Sequence, residues 1–203
     1  MEKQVTGKKF RLNNRVINFL ICAFIVLVMF AVGFVGFNKL SVMKKNDNLR
    51  DVAEQYLASE NFNAYLDGHP IVGVIEIEKL GLMYPIITYD RTGALLKSVC
   101  HYNGPKPNDY GNTVLCSNRK QSGLFFSDIG KLKINDTVTL YRDGGEGITY
   151  KLLDSFTVSA DSDQILPRAF TGEVRELTIF TASSDNKQRY VYKFVEQDFG
   201  LNS

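Results

Sequence analysis

The chain has 203 residues, of which 44% are hydrophobic, and its formal net charge is +2. This length and composition predict one globular domain with at most an accessory segment. The first fifteen residues carry a net charge of +4 and the remainder about −2, so the domain has no strongly basic face, and we predict no nucleic-acid partner.

An apolar segment near the N-terminus predicts a transmembrane helix. Val16–Phe37 is 22 residues long and contains no charged side chain. As an α-helix it would be roughly 33 Å long, which is enough to cross a bilayer. A cleaved signal peptide is the alternative, but its apolar region of about 7–15 residues would be followed by small residues at a cleavage site. The residues after Phe37 offer no such site, so we predict a retained anchor.

The segments on either side of this helix are predicted to be a cytoplasmic basic tail, residues 1–15, and a juxtamembrane stalk and helix, residues 38–69. Residues 1–15 hold five Lys/Arg and residues 38–50 hold four, a difference too small to fix the orientation. Apolar residues at helical spacing within Leu49–Leu57 predict an amphipathic helix that follows a solvated stalk and packs against the next domain. Gly68 and Pro70 would end it. An alternative is that this helix covers a substrate groove or pairs with a partner helix.

Residues 70–203 are predicted to form a mainly β domain. Short β-branched and aromatic segments alternate with turn residues, which is the pattern of an all-β barrel or sandwich. Small helices are expected at Ser122–Leu132 and near Ser162–Leu166, and Asp143–Gly147 is a predicted hairpin turn. The predicted strands are Ile71–Ile77, Met83–Thr88, Thr113–Ser117, Thr137–Tyr141, Ile148–Ser159, Glu176–Ala182 and Arg189–Val195.

Four ordered blocks of this domain resemble one family. The last and most specific is Leu177-Thr-Ile-Phe-Thr-Ala182, a buried strand followed seven residues later by Arg189. The others are Pro70–Ile87, His101–Asn112 continuing into Gly111-Asn-Thr-Val-Leu-Cys-Ser-Asn118, and Leu124–Leu132 with Asp136–Leu140. In this order and spacing they resemble the sortases, membrane-anchored cysteine transpeptidases, and we identify the chain as a class B/D-like member of that family.

The resemblance implies a closed β-barrel with short helices, a cytoplasmic N-terminus and an extracellular C-terminal domain. It also assigns roles to individual positions. Ala182 stands where the family's Thr-Leu-x-Thr-Cys strand carries the nucleophilic cysteine, and Asn118 stands where Gly-Asn-x-x-x-x-Gly-His carries the catalytic histidine. Arg189 matches the arginine that stabilises the oxyanion or holds the sorting peptide, and Thr181 and Ser117 are predicted to contact substrate.

The residues at these positions cannot perform the family's chemistry. The methyl group of Ala182 has no lone pair with which to attack a carbonyl, and the amide of Asn118 cannot act as a general acid or base near neutral pH. A displaced nucleophile is an alternative, with Cys116 or the adjacent Cys100 and His101 as candidates. Small buried side chains, or a Cys100–Cys116 disulfide outside the cell, are further interpretations of these cysteines. For Arg189 the alternative is a structural ion pair, for example with Asp185.

No motif for a metal or organic cofactor is present, and we predict no cofactor. Three hypotheses for function follow. The chain is a sortase-family membrane protein that has lost transpeptidation and binds sorting-signal-like peptides, or assists surface-protein or pilus assembly beside an active sortase. Alternatively it is an active or laboratory-inactivated sortase, which anchors surface proteins to cell wall or pilin, or a purely structural membrane-tethered β domain. The double replacement at Asn118 and Ala182 favours the first hypothesis.

Overall fold

The computed structural model describes residues 14–59, 63–90, 93–118, 123–142, 145–163 and 174–197. Asn14–Ala58 form one continuous helix, α1, which contains a stretch that is long and apolar enough to cross a membrane. The helix passes without a break through the region where the sequence predicted a solvated stalk, because residues 38–58 contain neither glycine nor proline. Contacts divide the chain into two units, residues 1–43 and 44–203, and the predicted domain boundaries remain predictions.

The last part of α1 packs against the strands of the second unit, as its apolar spacing predicted. Leu49, Ala53 and Tyr56 are its buried residues. Polar contacts hold the same segment in register. The Tyr84 hydroxyl donates to Asn46 Oδ1 at 2.7 Å, and Asn46 Nδ2 donates to the carbonyl of Gly123 at 3.0 Å. Residues 44–58 therefore belong to the β domain rather than to a separate linker.

Nine strands follow in the described part of the chain, together with three short 3₁₀-helices at Glu78–Leu80, Ala94–Leu96 and Phe125–Lys131. The strands are β1 (Tyr65–Leu66), β2 (His69–Ile77), β3 (Leu82–Thr88), β4 (Val99–Asn103), β5 (Gly111–Ser117), β6 (Thr137–Tyr141), β7 (Gly147–Ser159), β8 (Arg175–Ala182) and β9 (Gln188–Glu196).

Strands β2 to β9 close into a barrel. Their order is β2-β3-β4-β5-β8-β9-β7-β6, and β6 pairs again with β2 to complete the ring. The pairs β3–β4 and β5–β8 are parallel, and the others are antiparallel. Closure requires a glycine where β2 passes β6, because a Cβ on Gly73 would lie 2.7 Å from the carbonyl oxygen of Tyr141. The predicted mainly β fold with a closed barrel is therefore confirmed.

All seven predicted strands are present, but the sequence did not reveal β1 and β4. Strand β4 is short and carries the polar residues His101 and Asn103, and pairing with β3 and β5 on its two sides defines it. The helix predicted at Ser122–Leu132 is a 3₁₀-helix over Phe125–Lys131. The prediction near Ser162–Leu166 extends outside the described residues, as do residues 143 and 144 of the predicted hairpin turn, whose flanking strands β6 and β7 pair antiparallel.

Both faces of β5 and β8 are buried. Leu115 lies beside Ile179 on one face, and Cys116 lies beside Phe180 on the other. The second face belongs to a hydrophobic cluster that also contains Ala53 of α1. Side chains alternate between faces along a strand. Asn118 and Ala182, which follow Cys116 and Phe180 by two residues, therefore lie on the same face of the sheet as this cluster.

Candidate functional site

A cavity of about 830 Å³ opens at the end of the barrel where β5 and β8 stop. Its volume is within the range of sites that bind small molecules, about 300–1,000 Å³. Three segments supply its walls: the loop before β4, the end of β5 and the turn between β8 and β9. The lining residues include Tyr89, Asp90, Leu96, Ser117, Asn118, Ala182 and Ser184.

The parallel pairing of β5 with β8 brings two of the predicted site residues to the same end of the sheet. Ser117 is the register partner of Thr181, so the next residue of each strand, Asn118 and Ala182, extends from adjacent strand ends. Both line the cavity. Their side chains place a carboxamide and a methyl group there, and neither group is a nucleophile or a base near neutral pH.

Ser117 and Thr181 use their hydroxyl groups within the fold. Thr181 Oγ1 donates to the carbonyl of Ser117 at 3.2 Å, and Ser117 Oγ accepts from the backbone N–H of Phe126 at 3.1 Å. Both residues are buried, although Ser117 still contributes to the cavity lining. These bonds hold the two strand ends and the following 3₁₀-helix together. A role for either hydroxyl in substrate binding stays a prediction.

Arg189 lies directly opposite Ala182 in the β8–β9 pair. Its guanidinium carbon is 5.3 Å from the centroid of the Phe180 ring, a cation–π distance, and Arg189 is not among the cavity-lining residues. Asp185, the partner considered for a structural ion pair, instead accepts from Ser183 Oγ at 2.5 Å and from the backbone N–H of Lys187 at 3.1 Å. These hydrogen bonds lower the pKa of Asp185.

A row of aromatic rings, which sequence reasoning missed, connects Arg189 to the cavity wall. The Phe180 ring contacts the Tyr102 ring edge-to-face with centroids 5.1 Å apart, and Tyr102 lies 5.2 Å from Tyr89. Tyr89 lines the cavity. The only sequence signal was the aromatic character of these positions, because the row is assembled from three strand ends that are distant in the chain.

The loop before β4 forms a wall of the cavity and is held from two sides. Asp90 Oδ1 accepts from the backbone N–H of Ala94 at 3.3 Å, and Asp90 Oδ2 is 3.3 Å from His69 Nδ1. On the other side, Lys45 Nζ of α1 donates to the carbonyl of Leu96 at 2.9 Å. Burial is the largest cause that lowers the pKa of Lys45. Sequence reasoning did not include this loop in the site.

The described residues do not assemble a displaced cysteine–histidine pair. Cys116 is 3% exposed, and its pKa is raised first by a hydrogen bond with the Cys100 thiol and then by burial. Both effects reduce the thiolate fraction on which nucleophilic reactivity depends. His101 Nε2 donates to the carbonyl of Pro105 at 2.9 Å, and His69 contacts Asp90. The geometry therefore does not support the displaced-nucleophile alternative.

Glu76, Glu78 and Asp163 carry carboxylates, the type of side chain that binds calcium in proteins. In the part of the chain that the structure describes, no group of three or more His, Cys, Asp or Glu residues is arranged to hold a metal ion. Glu76 accepts a hydrogen bond from the Tyr141 hydroxyl at 2.7 Å. That contact joins β2 to β6 where the barrel closes.

A family model for the sortase domain matches residues 75–195 of this chain. The chain belongs to the sortase family. The matched span begins in β2 and ends in β9, so it includes every predicted site residue. Sortase A of Bacillus anthracis is 28% identical over 134 residues, which cover 66% of this chain and 63% of that protein. The match thus spans less than two thirds of that relative's length.

Solved sortases share the fold of this sortase-family chain. The sortase D5 transpeptidase of Clostridium perfringens aligns with a TM-score of 0.60 and 19% identity, covering 75% of this chain and 98% of that one. Sortase C of the same organism, solved with the C-terminal cell wall sorting motif, aligns with a TM-score of 0.55 and 21% identity, covering 77% of this chain and 88% of that one. At these identities the similarity shows a common barrel.

Proposed function

We propose that this chain is a catalytically inactive sortase-family membrane protein that binds sorting-signal-like peptides in the cavity beside Ala182. One observation carries the proposal. A cavity is present at the ends of β5 and β8, while Asn118 and Ala182 supply neither a base nor a nucleophile to it. A site of this kind can hold a peptide without cleaving it.

The proposed role is to hold or present surface proteins or pilins during their assembly. The sortase fold and the sortase C neighbour that was solved with a sorting motif support a peptide ligand. Because the chain itself would form no acyl-enzyme, an active sortase would have to supply the covalent step. The N-terminal helix would keep the β domain at the membrane surface, where such substrates are anchored.

We expect the N-terminus to be cytoplasmic and the residues from about 45 onward to be outside the cell. The sortase family relationship favours this orientation, and a large domain is translocated largely regardless of its flanking charges. Protease added to protoplasts should digest the β domain and leave an N-terminal fragment in the membrane. A cytoplasmic marker protein serves as the control for intact protoplasts. Survival of the β domain beside an intact marker would reverse the orientation.

Arg189→Ala should reduce the affinity for sorting-type peptides by about one to two decades, because a hydrogen bond to a charged group contributes roughly 1.5–3 kcal/mol. The guanidinium lies over the Phe180 ring, and we expect its planar N–H groups to reach a carbonyl or carboxylate of a peptide bound beside Ala182. Titration of Leu-Pro-x-Thr-Gly and Asn-Pro-x-Thr peptides, followed by NMR, measures the change.

The matched control is Lys187→Ala, which removes an exposed positive charge from the same β8–β9 turn. It should change the affinity only slightly, since rim charges contribute mainly through screened, long-range attraction. Equal losses in both variants would assign the effect to net charge rather than to Arg189. If the unsubstituted chain shows no shifts near Ala182 and Arg189 at millimolar peptide, the proposal fails and a purely structural role is favoured.

A further inference from the structure

Two of the three cysteines face each other across neighbouring strands. In the antiparallel β4–β5 pair, Cys100 lies directly opposite Cys116. Opposed residues of an antiparallel pair have Cα atoms about 4.5–5.5 Å apart, and disulfides join Cα atoms about 4.4–6.8 Å apart. The third cysteine, Cys22, lies in the apolar part of α1 and belongs to the other unit. The strand register therefore selects one pairing among the three cysteines.

The two thiols also lie on the same face of the β4–β5 pair. A hydrogen bond with the Cys100 thiol is the largest cause that raises the pKa of Cys116. Cys100 Sγ in turn donates to the carbonyl of Ser98 at 3.7 Å. Directly opposed side chains of an antiparallel pair have Cβ atoms about 4.5–5.5 Å apart, so the two sulfur atoms can be joined without a change of strand register.

The surroundings of the pair are apolar and closed to solvent. Cys100 is fully buried and Cys116 nearly so, and both pack in a cluster with Val114, Phe180 and Val191. An apolar environment disfavours a thiolate and accepts a neutral disulfide. Burial also shields the native thiols from reagents in solution. Exchange with an external disulfide therefore occurs while the sheet forms or opens locally.

We propose that Cys100 and Cys116 form a cross-strand disulfide that fastens β4 to β5 when the chain meets a small-molecule or protein disulfide as oxidant. The thiolate of one cysteine attacks a sulfur of that oxidant, which forms a mixed disulfide and releases one thiol of the donor. The second cysteine then attacks its partner's sulfur, the intramolecular bond forms, and the other donor thiol leaves. The two cysteine protons pass to the donor, which is reduced to two thiols.

The bond would fix the strands that carry the aromatic row at the candidate site. Cys116 is the register partner of Phe180, and Cys100 precedes Tyr102 by two residues. The Tyr102 and Phe180 rings contact each other with centroids 5.1 Å apart. Cross-linking would also close the loop between the two cysteines and thereby lower the conformational entropy of the unfolded chain. We expect the melting temperature to rise by on the order of 5–10 °C.

The test uses the full-length chain in detergent micelles. One sample is held just below its melting temperature with oxidised glutathione and another with dithiothreitol. Both are then acid-quenched, freed of reagent, unfolded in denaturant at neutral pH so that N-ethylmaleimide reaches every free thiol, and digested. The oxidised sample should carry one maleimide per chain, on Cys22. It should also yield a linked peptide pair containing Cys100 and Cys116, about 2 Da lighter than the sum of its reduced peptides. Its melting temperature should exceed that of the reduced sample.

Three variants separate this outcome from other thiol chemistry. Cys22→Ser should keep both the linked peptide and the thermal shift, because Cys22 takes no part. Cys100→Ala and Cys116→Ala should each abolish both signals and leave the other cysteine of the pair alkylated. Three maleimides per chain after oxidation, glutathione adducts on both cysteines, or a linked peptide that contains Cys22 would each overturn the proposal. None of these results depends on whether the cavity binds a peptide.

Discussion

The purified full-length chain should neither hydrolyse nor transpeptidate sorting-motif peptides. The strand end that faces the cavity carries the methyl group of Ala182, and Asn118 cannot act as a general acid or base near neutral pH. Removing the nucleophile of a comparable catalytic triad costs on the order of 10⁶ in rate, so turnover should be undetectable. Mass spectrometry of peptide products after long incubation measures this. Cleavage that is lost when Cys116 is alkylated would contradict the prediction and restore the displaced-nucleophile alternative.

Introducing a thiol at position 182 and an imidazole at position 118 tests whether the cavity can support the family's chemistry. Ala182→Cys alone should react slowly with alkylating agents, since no imidazolium stabilises its thiolate, and Asn118→His alone should have no effect. Together they should form acyl-enzyme with a suitable peptide, and more than the two single changes combined, because nucleophile and base act as a unit. Intact-protein mass spectrometry after incubation with a peptide panel detects the adduct.

The matched control for this experiment is Ser184→Cys combined with Asn118→His. Ser184 also lines the cavity but lies two residues beyond the end of β8, so its thiol should form no acyl-enzyme. Adducts of equal yield in both double variants would mean that a thiol at position 182 is no better placed for acyl-enzyme formation than a thiol at position 184. A folded Ala182→Cys/Asn118→His variant that forms no adduct with any peptide would mean that the groove has diverged along with its reactive residues.

Phe180→Ala should lower the free energy of unfolding by about 3–5 kcal/mol, the usual cost of truncating a buried phenylalanine. The Phe180 side chain is 7% exposed, contacts the Tyr102 ring, and supports the guanidinium of Arg189. Its loss leaves a void between β5, β8 and β9 and removes both ring contacts. Chemical denaturation of the full-length chain in micelles measures the change. The unfolding midpoints of the variant and the unsubstituted chain are compared with the same m-value for both.

Two substitutions calibrate this prediction. Phe180→Leu keeps most of the apolar volume and should cost about 1.5 kcal/mol, part of which is the lost ring contact with Tyr102. Leu153→Ala removes a side chain that is half exposed on β7 and should change stability by less than about 0.5 kcal/mol. If Phe180→Ala is no more destabilising than Leu153→Ala, the ring is not packed as described and the aromatic row has no role in the fold.

The strands that the sequence predicted share a local signal. Segments such as Thr137–Tyr141 and Ile148–Ser159 combine β-branched and aromatic residues between turn residues, so propensity and pattern agree. Strand β4 has no such signal, since His101 and Asn103 interrupt it. It is a strand because β3 and β5 offer backbone partners on both sides. A strand defined by pairing cannot be recognised without knowledge of which strands lie beside it.

The candidate site also contains residues that the sequence indicated and residues that only the fold brings together. Motif spacing alone placed Asn118, Ala182 and Arg189 at ends of predicted strands, because the family's motifs fix those positions along the chain. The sequence did not indicate that Tyr89 and Asp90 form a wall of the cavity, or that Lys45 of α1 holds that wall through Leu96. These residues come from separate segments, and only the closure of the barrel brings them to one place.

The sequence by itself determined the family, the mainly β fold and the apolar helix, and it predicts that Ala182 and Asn118 stand at the motif positions of the thiol and the imidazole. Each of these is local, because residue identity, spacing and hydrophobic pattern are properties of short segments. The tertiary structure alone decided that Arg189 stacks on Phe180 and that Cys116 lies opposite Cys100. Those relations depend on strand register, since a shift of one residue moves every side chain of a strand to its other face.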